Sequence, residues 1–427
     1  VKLIVSKSRL EGAVAIPASK SHTIRAVAIA SLADGTSTIR NPLVSSDTLS
    51  AVNCYRLLGA AIDTDDPQAW HVTGTAGQIT PPEEIIDVGN SGTTLRIAIA
   101  SAALSTAAAP VRFTGDRQIR SRPVQPLLDA IKNLGAGAFS LNNNGSAPVE
   151  VSGTLTGGRT AIECITSQYL SSLLLAAPLA EGNTEINVTL LNEPDYVRMT
   201  LDWLDRQQIR YENRSMKRFV IPGGQAYKSF DTAIGADFSS ATFFLCAGAL
   251  VGNHITVEGL DFSDSQPDKA VVEYLRQMGA DIRTDRSRVI VKGAPLHGTT
   301  IDMNRTPDAL PAMAVVAAFA RGTTRLTNVP QARKKETDRI ACMAQELRKL
   351  NVDIEELPDG LVINGPARLR PVDLDGRDDH RIVMALALAA TAVDGKTVID
   401  TAQAINVTFP RYVDLMNSIG ADMKMTE

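Results

Sequence analysis

The chain has 427 residues, well beyond the roughly 250 to 300 at which one hydrophobic core stops growing, so two domains are predicted. Charged residues make up 21% and hydrophobic residues 44%, the balance of a globular protein with a large core, and a net charge of −4 argues against a nucleic-acid partner, which requires a basic face. Cys54, Cys164, Cys246 and Cys342 are too far apart for a metal or redox motif, and no uninterrupted run of about 20 apolar residues marks a membrane span.

In chain order, the opening Val-Lys-Leu-Ile-Val-Ser-Lys is too short and too soon polar for an export signal, so a cytoplasmic protein is expected. At Ser19-Lys20-Ser21-His22-Thr23-Ile24-Arg25 a polar knot opens an apolar, Ala-rich run, Ala26 to Leu32. Similar knots follow at Asn90-Ser91-Gly92-Thr93, Thr166-Ser167-Gln168, Asp237-Phe238-Ser239-Ser240, Pro307-Asp308 and Asp378-Asp379-His380-Arg381. Their anchors, Ser21, Ser91, Ser167, Ser239, Asp308 and Asp379, recur at roughly 70-residue steps. This is a sixfold internal repeat, three copies to a domain, with the boundary near residue 234.

In five of the six copies the apolar helix is predicted to end at a glycine (Gly35, Gly182, Gly252, Gly322, Gly395) followed by a β-rich run, the second copy having Ala107-Ala108-Ala109-Pro110 instead. A second, charged helix ends at Leu58-Gly59-Ala60, Leu134-Gly135-Ala136, Met278-Gly279-Ala280 or Ile419-Gly420-Ala421, with looser copies at Gln207-Gln208-Ile209 and Leu350-Asn351-Val352. The unit reads βαβαββ. Its first helix, apolar nearly all round, is a buried helix, and its second should face solvent. An α/β protein follows, with buried parallel helices surrounded by sheets.

If the six buried helices run alike, their N-termini converge at one end of each domain, where unpaired N–H groups and the helix dipoles favour anions. Capping accounts for Ser, Thr, Asn and Asp at those starts. It does not account for Lys20, Arg25, Arg96, Arg122, Lys335, Arg339 and Arg381, which lie in or near the knots. Buried cations need anions, and the few nearby carboxylates cannot neutralise seven. Substrates carrying phosphate and carboxylate are the predicted partners.

The residues Ile16 to Arg25, Gly89-Asn90-Ser91-Gly92-Thr93-Thr94-Leu95-Arg96, Arg122-Pro123-Val124, Thr166-Ser167-Gln168, Pro307-Asp308, Lys335-Glu336-Thr337-Asp338-Arg339 and Asp379-His380-Arg381 together resemble the enolpyruvyl transferases, in their shikimate-type (EPSP synthase) branch. The resemblance is collinear over nearly the whole chain. It implies a two-domain inside-out α/β barrel, with 18–234 as one domain and 1–17 plus 235–427 as the other, hinged by two crossings. It also implies a monomer whose substrates are phosphoenolpyruvate and shikimate 3-phosphate, with no cofactor and no metal. By motif, Lys20, Gly92, Arg122 and Gln168 would receive the phosphate of phosphoenolpyruvate, and Arg339 and Arg381 its carboxylate. Ser21, Arg25, Thr166, Ser167, Gln168 and Tyr196 would hold the acceptor, its phosphate on Thr166 and Ser167. Asp308 and Lys335 would meet the attacking hydroxyl.

The chemistry needs these types. Phosphoenolpyruvate resists an alcohol until C3 takes a proton; the hydroxyl then adds at C2 and phosphate leaves. Asp308, Lys335, Glu336 and Lys20 are the candidate catalytic groups, with Asp308 toward the hydroxyl proton and Glu336 toward C3. Arg96 reads as a brace for its loop, His380 as a structural histidine, and Tyr169 and Cys164 as core.

Three positions depart from the family pattern. Val407 stands where the family carries a lysine, Ile97 where a proline follows the motif arginine, and Glu193 where a serine precedes the tyrosine that packs under the acceptor. A divergent subclass with reduced sensitivity to glyphosate is expected. The alternatives are transfer to a different phosphorylated acceptor and a catalytically silent binding homologue. The sister enzyme acting on UDP-N-acetylglucosamine uses a cysteine in the loop before Arg-Pro, and Gly115 to Ser121 contains none. The RNA-terminal phosphate cyclases share the repeat unit but not this motif set or charge.

Overall fold

The computed structural model describes residues 1–427. The chain divides into two compact units, 18–234 and 1–17 with 235–427, here called the first and second lobes. Each has three four-stranded sheets and its own apolar core.

All six sheets share one pattern. In the third sheet of the first lobe, Gly158–Cys164 pairs in parallel with Thr184–Leu191, which pairs antiparallel with Arg218–Ile221, itself antiparallel to Glu212–Arg214. The parallel pair is what a helical crossover produces, and the last two strands form a hairpin. The βαβαββ unit read from the sequence is therefore the unit of the fold.

Three strands are placed by connectivity rather than by the repeat. Glu11–Ala15 comes before the first buried helix in sequence, yet pairs in parallel with His254–Glu258 of the second lobe. Asp231–Ala233 comes before the fourth buried helix, yet pairs in parallel with Thr36–Arg40 of the first. Lys2–Ser6 lies between Lys396–Asp400 and Asp422–Thr426 in the last sheet.

The apolar runs form six helices: α1 (Lys20–Leu32), α2 (Gly92–Ala102), α3 (Ser167–Ala176), α4 (Phe238–Ala249), α5 (Leu310–Phe319) and α6 (His380–Ala390). They are buried on essentially all sides, because residues apolar all round leave no face that water would stabilise. Polar side chains cap four of them. Ser19 accepts from the N–H of His22, Thr166 from Gln168, Asp237 from Ser240 and Asp379 from Arg381. Helix α5 begins differently, through a 3-10 turn over Pro307–Ala309, which leaves the Asp308 carboxylate available to other side chains.

The two sets of glycines have different jobs, contrary to the expectation that both end helices. Helix α1 stops at Leu32, Ala33 is already extended (φ −75°, ψ 161°), and Gly35 at φ 88° turns the chain into the next strand. The glycines after the charged helices are true caps. Gly59 at φ 111° donates to Arg56 O at 3.1 Å while Ala60 donates to Tyr55 O at 3.0 Å, the paired bonds of a Schellman motif. The same bonds recur at Gly135, Gly279 and Gly420, and also at Gln208 and Asn351, non-glycine residues in the left-handed region.

Candidate active site

The knots become two groups of polar side chains, one in each lobe. In the first lobe, Arg25 is buried one turn into α1. Its guanidinium donates to Thr200 Oγ1 at 2.9 Å, to Ser21 O at 3.0 Å, to Tyr196 O at 3.2 Å and to Ser171 Oγ at 3.5 Å. Every one of these acceptors is neutral. Burial lowers its pKa to about 10, against the smaller opposing effect of Tyr196, and a cation so placed has a strong demand for an anion. The Ser21 carbonyl and Tyr196 are thereby tied to the same guanidinium.

Gly92 opens α2 between two arginines. A methyl group there would lie 2.6 Å from Nη1 of both Arg96 and Arg122, so any side chain at this position would push the two guanidinium groups away from where they stand. Arg96 donates to Gly92 O at 3.1 Å, to Gln168 Oε1 at 3.0 Å and to Pro123 O at 3.4 Å, and lies over the Tyr169 ring. The reading of Arg96 as a brace matches this geometry. Gln168 completes the link with a 3.0 Å bond to Thr93 Oγ1. Arg122 donates to Asn90 Oδ1 at 3.4 Å; Asn90 in turn donates to Asp116 and Gln118, each at 2.6 Å.

Lys20, the first residue of α1, places Nζ 3.0 Å from Asp47 Oδ2. Asp47 was not singled out in the sequence. Its one signal is position, the first turn of the helix Ser46–Leu57 behind a Ser45/Thr48 capping box, where an acid ordinarily serves only the helix dipole. Thr166 and Ser167 meet at the start of α3, where both face the Glu193 carboxylate.

In the second lobe the site is organised by Arg339. This guanidinium, 1% exposed, donates through Nε to Asp379 Oδ2 at 2.8 Å, through Nη1 to Asp308 Oδ1 at 2.7 Å, and through Nη2 to Glu336 Oε2 at 2.6 Å. Asp308 also faces Arg381 Nη2 at 3.3 Å and Lys335 Nζ at 3.8 Å. Burial pulls the Asp308 pKa up, but Arg381, Lys335 and Arg339 together hold it well below the usual carboxylate range. Asp379 caps α6 and also accepts from Thr337 Oγ1 at 3.0 Å. Burial lowers His380 to about 3, more than the neighbouring Asp379 raises it, so its ring is neutral at physiological pH. Its Nε2 is buried with no hydrogen-bond partner.

Local carboxylates thus pair with Lys20, Lys335, Arg339 and Arg381 among the cations singled out from the sequence, more than the sequence suggested. Apart from Glu336, three residues before Arg339, the acids that do so, Asp47 and Asp379 among them, come from other segments of the chain, which linear inspection does not bring together.

Comparison with known proteins bears on this arrangement. The profile of EPSP synthase (3-phosphoshikimate 1-carboxyvinyltransferase) matches residues 4–416. The chain is 53% identical over 425 residues to the 3-phosphoshikimate 1-carboxyvinyltransferase of Acetivibrio thermocellus, covering 100% of both. It is 42% identical to the protein of that name from Methanocaldococcus jannaschii, covering 99% of both. Among solved structures, EPSP synthase from Acinetobacter baumannii superimposes with a TM-score of 0.83 at 24% identity, over 99% of this chain and 100% of that one. An enolpyruvyl transferase from Streptomyces tendae gives 0.80 at 20% identity, over 100% and 98%. These structures share the fold, while the profile match and the near-full-length relatives establish kinship: the chain belongs to the EPSP synthase family.

Proposed function

We propose that this chain transfers the enolpyruvyl group of phosphoenolpyruvate to the 5-hydroxyl of shikimate 3-phosphate, releasing phosphate and forming 5-enolpyruvylshikimate 3-phosphate. The reading rests on the family and on one observation, the fork of Arg339. A single buried guanidinium presents Asp308 and Glu336 on adjacent nitrogens, so the two carboxylates the reaction needs are held at a fixed spacing.

Glu336 delivers a proton to C3 of phosphoenolpyruvate. The acceptor hydroxyl adds at C2 and gives its proton to Asp308. The C2–O bond to phosphate then breaks, the phosphate leaving with the proton that Asp308 took, C3 gives a proton back to Glu336, and the enol ether is restored. As Asp308 stands, Arg381, Lys335 and Arg339 hold it ionised, which makes it a weak base. The carboxylate of phosphoenolpyruvate, received by Arg381 and Arg339, offsets part of that positive field and raises the basicity of Asp308 where it is needed. In the first lobe, Lys20, Gly92, Arg122 and Gln168 receive the phosphate of phosphoenolpyruvate. Ser21, Arg25 and Tyr196 hold the acceptor's ring and carboxylate, and the start of α3 at Thr166 and Ser167 receives its phosphate. Clustered guanidinium groups lower the cost of gathering these anions and stabilise the departing phosphate.

Running the reaction in deuterium oxide tests this sequence. Addition and elimination through a C3 methyl group place deuterium in the vinyl group of the product, read by mass spectrometry. A product free of deuterium rules out protonation at C3.

A further inference from the structure

We infer that Glu193 is a specificity-determining residue for the acceptor, an internal carboxylate that occupies the seat of the acceptor's phosphate and that only a phosphomonoester dianion displaces. The inference rests on the acceptor placement proposed above. Glu193 precedes Pro194 at the start of the helix Pro194–Arg206, in a left-handed conformation (φ 57°), and makes no side-chain cap to its own helix. Its side chain reaches instead to the start of α3. There Oε2 accepts from Ser167 Oγ at 2.7 Å, from the Ser167 N–H at 3.2 Å and from Thr166 Oγ1 at 3.3 Å. The residue is 1% exposed.

Those three donors are the ones the functional reading assigns to the acceptor's phosphate. A carboxylate and a phosphate cannot share them, because two anions in contact at a buried position repel strongly. Glu193 serves α3 as a resident anion, satisfying donors that the N-terminus of a buried helix must satisfy somehow. A dianion with three acceptor oxygens makes more charge-assisted bonds to the same donors than one carboxylate oxygen does, and displaces it. An acceptor with a hydroxyl in place of phosphate has nothing to exchange for the Glu193 bonds. The residue therefore lowers the affinity for a phosphorylated acceptor, which must displace it, whereas an unphosphorylated acceptor leaves the Glu193 bonds to Ser167 and Thr166 in place.

The test compares the whole enzyme with Glu193→Gln and Glu193→Ser, using shikimate 3-phosphate and shikimate as acceptors. With the competing charge removed, the KM for shikimate 3-phosphate is expected to fall about tenfold, the scale of one charge-assisted hydrogen bond, while the KM for phosphoenolpyruvate changes much less. A merely structural role would move both constants together. An unchanged or raised KM for shikimate 3-phosphate in both variants overturns the inference. If neither variant folds, a crystal structure of the wild-type enzyme with shikimate 3-phosphate decides. Glu193 drawn away from Ser167 by the phosphate supports the inference, and Glu193 still bonded to Ser167 with the phosphate elsewhere overturns it. Failure of the functional reading looks different, since wild-type enzyme would then give no turnover with shikimate 3-phosphate at all.

Discussion

Lys20 Nζ lies 3.0 Å from Asp47 Oδ2, and the Asp47 side chain is only 5% exposed, so the lysine that opens α1 is held by an acid from the next helix in the chain. Removing either partner takes away the opposite charge that the other faces at a largely water-shielded position, the lysine side chain being 17% exposed. Lys20→Met and Asp47→Asn should each destabilise the fold by roughly 3 kcal/mol, with the double variant costing much less than the sum. Denaturant titration of the cycle measures this. Both single variants should also raise the KM for phosphoenolpyruvate, because Asp47 sets where the Lys20 ammonium points.

Glu336 and Arg339 are hydrogen-bonded, yet their substitutions should fail in different ways. Glu336→Gln keeps the shape and one acceptor oxygen, so the melting temperature should stay close to wild type while kcat falls by about 10² to 10⁴, the range of a general acid or base. Arg339→Ala removes the buried cation that Asp308, Glu336 and Asp379 share, and should cost about 3 to 5 kcal/mol of stability before activity is considered. Full activity in Glu336→Gln would remove it from the mechanism.

His380 supplies a pH dependence of defined sign. Its folded pKa is lowered to about 3, whereas an unfolded histidine titrates near 6.5. Between those values the unfolded chain binds a proton that the folded chain does not. Stability is therefore full above about pH 6.5 and falls as the pH drops toward 3, by up to about 1.4 kcal/mol per pH unit from this group. The slope between pH 6 and pH 5, where most carboxylates have not begun to titrate, should flatten by that amount in His380→Gln.

The departures at Val407 and Ile97 bear on the phosphoenolpyruvate side. Val407 ends a 3-10 turn, Ala402–Val407, and brings no charge to a position where the resemblance implies a lysine. Ile97 is buried in α2 directly after Arg96. Losing a charge-assisted contact should weaken glyphosate about tenfold or more relative to a relative that retains the lysine. Inhibition titrated against phosphoenolpyruvate reads this directly, and equal sensitivity in the two enzymes contradicts it.

Much of the architecture was legible because the repeat prints itself locally. Apolar runs, caps and the Leu-Gly-Ala stops each follow from short-range physics, and even Gln208 and Asn351 were recognisable as copies of a glycine cap. Strand exchange was not visible in the period, since the partners of Glu11–Ala15 and Asp231–Ala233 lie more than a hundred residues away. The site divides in the same way. The cations announced themselves by lying in knots, but Asp47 and the anchoring role of Asp379 depend on side chains meeting from distant segments. Glu193 drew notice as an anomaly, and only the geometry gave it a role, through its bonds to Ser167.

Phosphate release from phosphoenolpyruvate, followed with shikimate 3-phosphate set against other phosphorylated alcohols, tests the central claim most directly. Release should require shikimate 3-phosphate and should be lost in Lys335→Ala and Glu336→Gln variants that remain folded. Release with another phosphorylated alcohol but not with shikimate 3-phosphate, or undiminished release in those two variants, would contradict it.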